Sequence, residues 1–65
     1  MTEDANLAQI LERATDVLGS EAAAADWIDK RSATLGGTPR ELAQSNEGKE
    51  RVLLHLAGIS RHRVG

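Results

Sequence analysis

The apolar residues of the first eighteen positions fall into one stripe. Leu7, Ile10, Leu11, Ala14, Val17 and Leu18 recur at i, i+3, i+4, i+7, i+10 and i+11, the period of an amphipathic helix. Thr2 or Asp4 is read as its cap. Acids in the first turn suit the helix dipole, and Gly19 is a natural stop. Ser20 is then expected to cap a second helix. Glu21 lies in its first turn, Ala22 to Ala25 have the best helix propensity, and Trp27 and Ile28 close it as bulky anchors. The small alanines permit another helix to approach closely. Trp27 reads as the largest plug of a small core.

Residues 31–37 read as a connection, with Leu35 tucked beneath it and a turn at Gly36-Gly37. The sharpest local signal follows. Thr38 serves as N-cap, Pro39 takes the first helical position, and Glu41 sits where it closes a capping box. Leu42 and Ala43 give this short third helix, of about two turns, its apolar side. Ser45 or Asn46 caps a fourth helix, whose stripe is Val52, Leu53, Leu56 and Ile59. Glu47 and Arg51 are spaced as an i, i+4 ion pair. Gly48, in the first turn, costs about 1 kcal/mol of helix propensity against alanine. Its presence points to close contact with a neighbouring backbone, and Gly58 is expected to weaken or end the helix. No strand and no internal repeat is evident. The expected fold is all-α: about four short helices, no sheet, one domain over residues 1–65 with its first helix at 1–18.

Length and composition narrow the function. With 65 residues, such a chain buries only about 60% of its unfolded surface. Chains this small commonly need a disulfide, a metal or a partner. Cysteine is absent, so disulfides and thiolate metal sites are excluded. Trp27 is the single aromatic residue, too few for stacking single-stranded nucleic acid. No apolar run approaches the ~20 residues of a membrane span, and no signal peptide is apparent. The expectation is therefore a cytoplasmic protein that does not engage membranes. The net charge of −2 is unevenly placed: residues 1–29 carry −6 and residues 30–65 carry +4. That asymmetry fits either a polar partner surface or internal compensation.

Candidate chemistry is sparse. His55 and His62 lie two helical turns apart, about 10 Å, and zinc needs three or four converging ligands. Neither a metal site nor a cofactor is expected. Ser20, Ser32, Ser45 and Ser60 stand at caps and loops, outside any nucleophile elbow. The glycines do not match a phosphate-binding loop. The expectation is a chain that is not an enzyme. A small DNA-binding regulator is the main alternative. Short helices around a capped turn resemble helix-turn-helix anatomy, with Arg40 near the start of a recognition helix.

The order of residues resembles a known family. Trp27-Ile28, Leu35-Gly36-Gly37-Thr38-Pro39, Glu41-Leu42, Glu47-Gly48, Val52, Leu56 and Ile59 are similar to the toxin-binding domain of the MbcA/ParS/Xre antitoxins. The likeness spans roughly residues 17–62. Many relatives carry a separate helix-turn-helix domain before it, and residues 1–18 hold one helix, so DNA binding is not the favoured expectation.

The resemblance implies an antitoxin of a type II toxin–antitoxin system. Its partner would be a RES-domain toxin, similar to ADP-ribosyltransferases and using NAD. The C-terminal helix and tail would cover the toxin's active-site entrance. The implied toxin-binding residues are Leu56 and Ile59 as anchor, with Arg61, His62, Arg63, Val64 and Gly65 as plug. A pocket built for NAD must handle a pyrophosphate, so a terminal carboxylate suits its anion position. Arg61 and Arg63 suit acidic groups nearby. Trp27, Leu35, Gly37, Thr38, Pro39, Glu41, Leu42, Gly48 and Val52 are assigned structural roles. A homodimer, or a larger hetero-oligomer with the toxin, is expected.

Overall fold

The structure, a computed structural model, describes residues 2–63, with side chains described for residues 3–60. Four helices follow in order: α1 (Thr2–Leu18), α2 (Glu21–Ile28), α3 (Pro39–Leu42) and α4 (Asn46–Arg63). No β-strand occurs among the described residues, and the all-α expectation holds. One isolated antiparallel bridge joins Ser32 to Gly37.

Local chemistry sets most boundaries. Gly19 leaves α1 at φ 93°, a left-handed conformation that glycine adopts without strain. The Ser20 hydroxyl accepts from the Ala23 amide at 3.1 Å, capping α2. At α3 the capping box is complete. The Glu41 amide donates to Thr38 Oγ1 at 3.1 Å, and the Thr38 amide donates to Glu41 Oε1 at 2.9 Å. The Ser45 hydroxyl accepts from the Gly48 amide at 3.0 Å and so caps α4. Between α2 and α3 the chain closes on itself. Ser32 and Gly37 exchange backbone bonds of 3.0 and 3.2 Å, and Gly36 turns at φ 82°. Leu35 is buried beneath this loop, as expected.

Several expectations need correction. α1 already begins at Thr2, so Asp4 lies in its first turn and does not cap it. α3 has four residues, about one turn, because Gln44 and Ser45 bond back to Glu41 and Leu42 and end it. α4 runs through Gly58 to Arg63 without interruption. The propensity cost of one glycine is about 1 kcal/mol, which the surrounding helical bonds outweigh. No ion pair joins the exposed Glu47 and Arg51, consistent with the small gain such surface pairs offer.

The core is small and built from short side chains at the helix crossings. Ile10 and Ala14 of α1, Ala24 and Ile28 of α2, Ala43, and Val52 and Leu56 of α4 are buried together with Leu35. α1 lies against both α2 and α4, and α3 bridges α2 and α4. Asn6 lies near Ala43, Arg13 near Leu53, and Val17 near Ala57 and Ser60. α1 and α4 therefore run side by side in the same direction.

Two contacts make this arrangement specific. Asn6 is 2% exposed and donates from Nδ2 to the Ala43 carbonyl at 2.9 Å. It ties α1 to the end of α3, across 37 positions of sequence. Leaving that buried carbonyl unpaired would cost about 1–3 kcal/mol. Gly48 is buried where α4 starts under α3. A Cβ built on it would overlap the Leu42 carbonyl oxygen and lie 2.9 Å from the Leu42 carbonyl carbon. The close backbone approach expected from the sequence is therefore present, and only glycine fits it.

Candidate protein-binding face

α4 carries the positions assigned to partner binding, and the structure separates them. Val52 and Leu56 are fully buried. Leu56 therefore supports the surface from beneath, and its side chain has no exposed area to offer a partner. Ile59 is half-buried, packed against the core on one side and open on the other. Ser60 is exposed beyond it. Arg61, His62, Arg63, Val64 and Gly65, the expected plug, lie outside the described side chains.

One flank of α4 is finished by an aromatic pair. Trp27 at the end of α2 stacks on His55, with ring centroids 6.2 Å apart and planes 16° from parallel. Both residues are half-buried. Trp27 thus forms the rim of the core and not its central plug. Ala24 and Ile28 are the α2 residues buried in the core, and Trp27 packs against it from the side. Trp27, His55 and Ile59 make a half-apolar face leading toward the end of α4. Sequence reasoning weighed His55 as a metal ligand and did not pair it with Trp27.

Two residues escaped the sequence reading. Leu54 is 74% exposed, the large apolar side chain standing in solvent among the described residues. Its signal was present: two positions from Val52 is about 200° around a helix, off the apolar stripe. Asn6 is the buried polar residue of the core. It sits four before Ile10, in line with the buried row of α1.

The remaining structural positions hold the base of this face. Pro39 and Gly37 are buried, Thr38 and Leu42 half-buried. Arg40 binds Asp29 at the end of α2, Nε to Oδ1 2.7 Å and Nη2 to Oδ2 3.4 Å. This bond holds Arg40 against the end of α2, and α3, with four residues, is shorter than the two-turn helix expected around Arg40. The Arg40 guanidinium holds the Asp29 carboxyl below its ordinary range. The Thr38 backbone N–H does the same for Glu41. A depressed folded-state pKa stabilises fully above the unfolded value and is lost as pH falls through the folded one. Acidification below roughly pH 4 should therefore loosen the α2–α3 junction. In urea unfolding at pH 7 and pH 3, Glu41→Gln is expected to lose less stability on acidification than the parent. Glutamine keeps the acceptor but does not titrate. Equal losses would assign the acid sensitivity elsewhere.

Among the described residues, no group of His, Asp and Glu is placed to hold a metal ion. Among the same residues, no helix is long and apolar enough to cross a membrane. The described residues thus form a small helical bundle with a half-apolar face on its longest helix. Residues 13–60 match the family described as the antitoxin Xre/MbcA/ParS C-terminal toxin-binding domain. The chain belongs to that family, as the order of its motifs implied. No curated protein and no solved structure matches it significantly.

Proposed function

We propose that this chain is the antitoxin of a type II toxin–antitoxin pair, acting without chemistry of its own. Its target is a RES-domain toxin, ADP-ribosyltransferase-like and NAD-using. It acts in the cytoplasm by covering the toxin's active-site entrance. Membership of the toxin-binding family carries this reading. Supporting it, α4 presents Ile59 at its surface beside Trp27 and His55, on the way to the cationic stretch Arg61-His62-Arg63. In this reading Ile59 is the anchor and residues 61–65 are the plug. Leu56 holds the helix in place from within. The complex holds more than one antitoxin copy.

The test is co-expression with a RES-domain protein encoded in the adjacent reading frame, followed by size-exclusion chromatography and an NAD-consumption assay. The expected result is a co-eluting complex with NAD loss suppressed. Deleting residues 61–65 should restore NAD consumption while leaving the circular dichroism of the chain nearly unchanged. Undiminished inhibition by the truncated chain would sink the plug. DNA binding through phosphates would weaken steeply between ~50 and ~200 mM salt, whereas an interface with an apolar centre should change far less.

A further inference from the structure

The second half of α1 and the start of α2 enclose an open groove of about 440 Å³, lined by Leu11, Glu12, Thr15, Asp16, Glu21 and Ala25. Leu11 and Thr15 are half-buried, and the other four are exposed. The Thr15 hydroxyl donates to the Leu11 carbonyl at 2.8 Å, so the carboxylates are the only lining side chains with polar atoms left to offer. Ala22, one turn before Ala25, is exposed as well. Of the four alanines of α2 only Ala24 is fully buried, and small side chains are left on the outer side of this helix. Ala25 and Trp27 lie about 200° apart around α2, so the groove opens away from the proposed toxin face.

Two of the three carboxylates stand where they cost the helix stability. Glu12 and Asp16 are like charges at i, i+4. Asp16 also lies in the last turn of α1, where the helix dipole disfavours an anion and no base offsets it. Among the described residues no ion pair engages Glu12, Asp16 or Glu21. Arg13, the sole cation in the sequence of α1 and α2, lines the depressions toward α4 instead. We infer that this groove seats a cationic amphipathic helix of a partner protein other than the toxin. An apolar side chain of that helix enters between Leu11 and Ala25, and its lysines or arginines meet Glu12, Asp16 and Glu21. Ala22 and Ala25 let its axis come close, since interaxial distance follows the size of the side chains between. Its charge relieves the Glu12–Asp16 repulsion, which gives a purpose to two residues that break the local rule. An anionic partner would be repelled, and a second copy presenting the same face would meet like charge. The inference does not depend on the toxin reading.

Fluorescence anisotropy on the full chain tests this. The ligand is a labelled, end-capped peptide of about 15 residues, with leucine along one helical face and lysine on both flanks. Micromolar binding is expected, weakening as salt rises from ~50 to ~200 mM. Asp16→Lys and Ala25→Phe, both at exposed positions, should each weaken it about tenfold or more, the first by reversing the rim and the second by filling the groove. Glu47→Lys, an equal charge change on α4, should leave it within about twofold. Asp16→Asn should weaken the peptide while raising the melting temperature of the free chain by about 1–4 °C. A parent that ignores the peptide, or an Ala25→Phe chain that binds it as the parent does, would overturn the inference. So would a Glu47→Lys chain that loses as much binding as Asp16→Lys, or an Asp16→Asn chain that melts below the parent. Release of the peptide by a bound toxin would assign the groove to the toxin. A dimeric parent made monomeric by Ala25→Phe would assign it to a second copy. Either result would also overturn the inference. A chain that binds the peptide as expected yet binds no RES-domain protein would support this groove and refute the antitoxin reading.

Discussion

Gly48→Ala is expected to unfold or nearly unfold the protein. The new methyl would occupy the position of the Leu42 carbonyl oxygen, and that atom belongs to backbone at the end of α3. It cannot rotate away as a side chain would. α3 and α4 would have to separate, which strains both the Ser45 cap and the Asn6–Ala43 bond beside it. Ordinary overpacking costs about 1–3 kcal/mol, and a backbone collision should reach or exceed the upper end. Alanine's gain in helix propensity, about 1 kcal/mol, opposes this and is outweighed. A chain of this length has roughly 3–10 kcal/mol of stability in all. Gly58→Ala is the control. Nothing lies within 4 Å of its Cβ position, so the same change in the same helix should stabilise by about 0.5–1 kcal/mol. Thermal melts of the two variants should move in opposite directions. A Gly48→Ala protein melting with the parent would remove the close contact from the account of the fold.

Leu56→Ala is the second large effect expected. The side chain is fully buried between α1 and α4, and truncation should cost about 2–5 kcal/mol, lost apolar transfer plus the cavity left behind. Leu54→Ala, two positions earlier, should change monomer stability by less than about 0.5 kcal/mol. Urea unfolding of the pair separates core from surface on this helix. It also decides how Leu56 takes part in toxin binding. If neutralisation falls only in proportion to unfolding, its role is support. A stable Leu56→Ala chain that fails to bind would return it to the interface.

Much of this architecture was legible because it is local. The Thr38–Glu41 capping box, the Ser20 and Ser45 caps and the left-handed Gly19 stop are interactions within three or four residues. The chain must make them wherever the helices end up. The stripes of α1 and α4 were legible for a related reason: a period of 3.6 marks which positions share a face. The length of α3 was misjudged because its end depends on how the following turn enters α4. Gly58 was misjudged because propensity alone does not end a helix held by its neighbours.

The candidate site was less legible. Ile59 and Leu56 were placed together as one anchor, but Ile59 is half-buried and Leu56 fully buried. Both lie on one stripe, and the stripe does not say how deep α1 seats against each. Trp27 and His55 lie far apart in sequence, and no period links them. Asn6 carries no local signal of burial: its partner, the Ala43 carbonyl, is brought to it by α3 from 37 positions away.

The sequence by itself determined that the fold is four helices, how α2, α3 and α4 are capped, and, through the order of its motifs, the antitoxin family. These follow from hydrogen bonds and side-chain spacing within single elements. Only the tertiary structure decided that Leu56 is inside and Leu54 outside, that Trp27 rests on His55 at the rim, and that acidic α1 runs parallel to α4. Those outcomes depend on which helix face meets which, and on the depth of each contact. Packing settles both across the whole chain at once, because every buried polar group needs its partner and no two atoms can share a place.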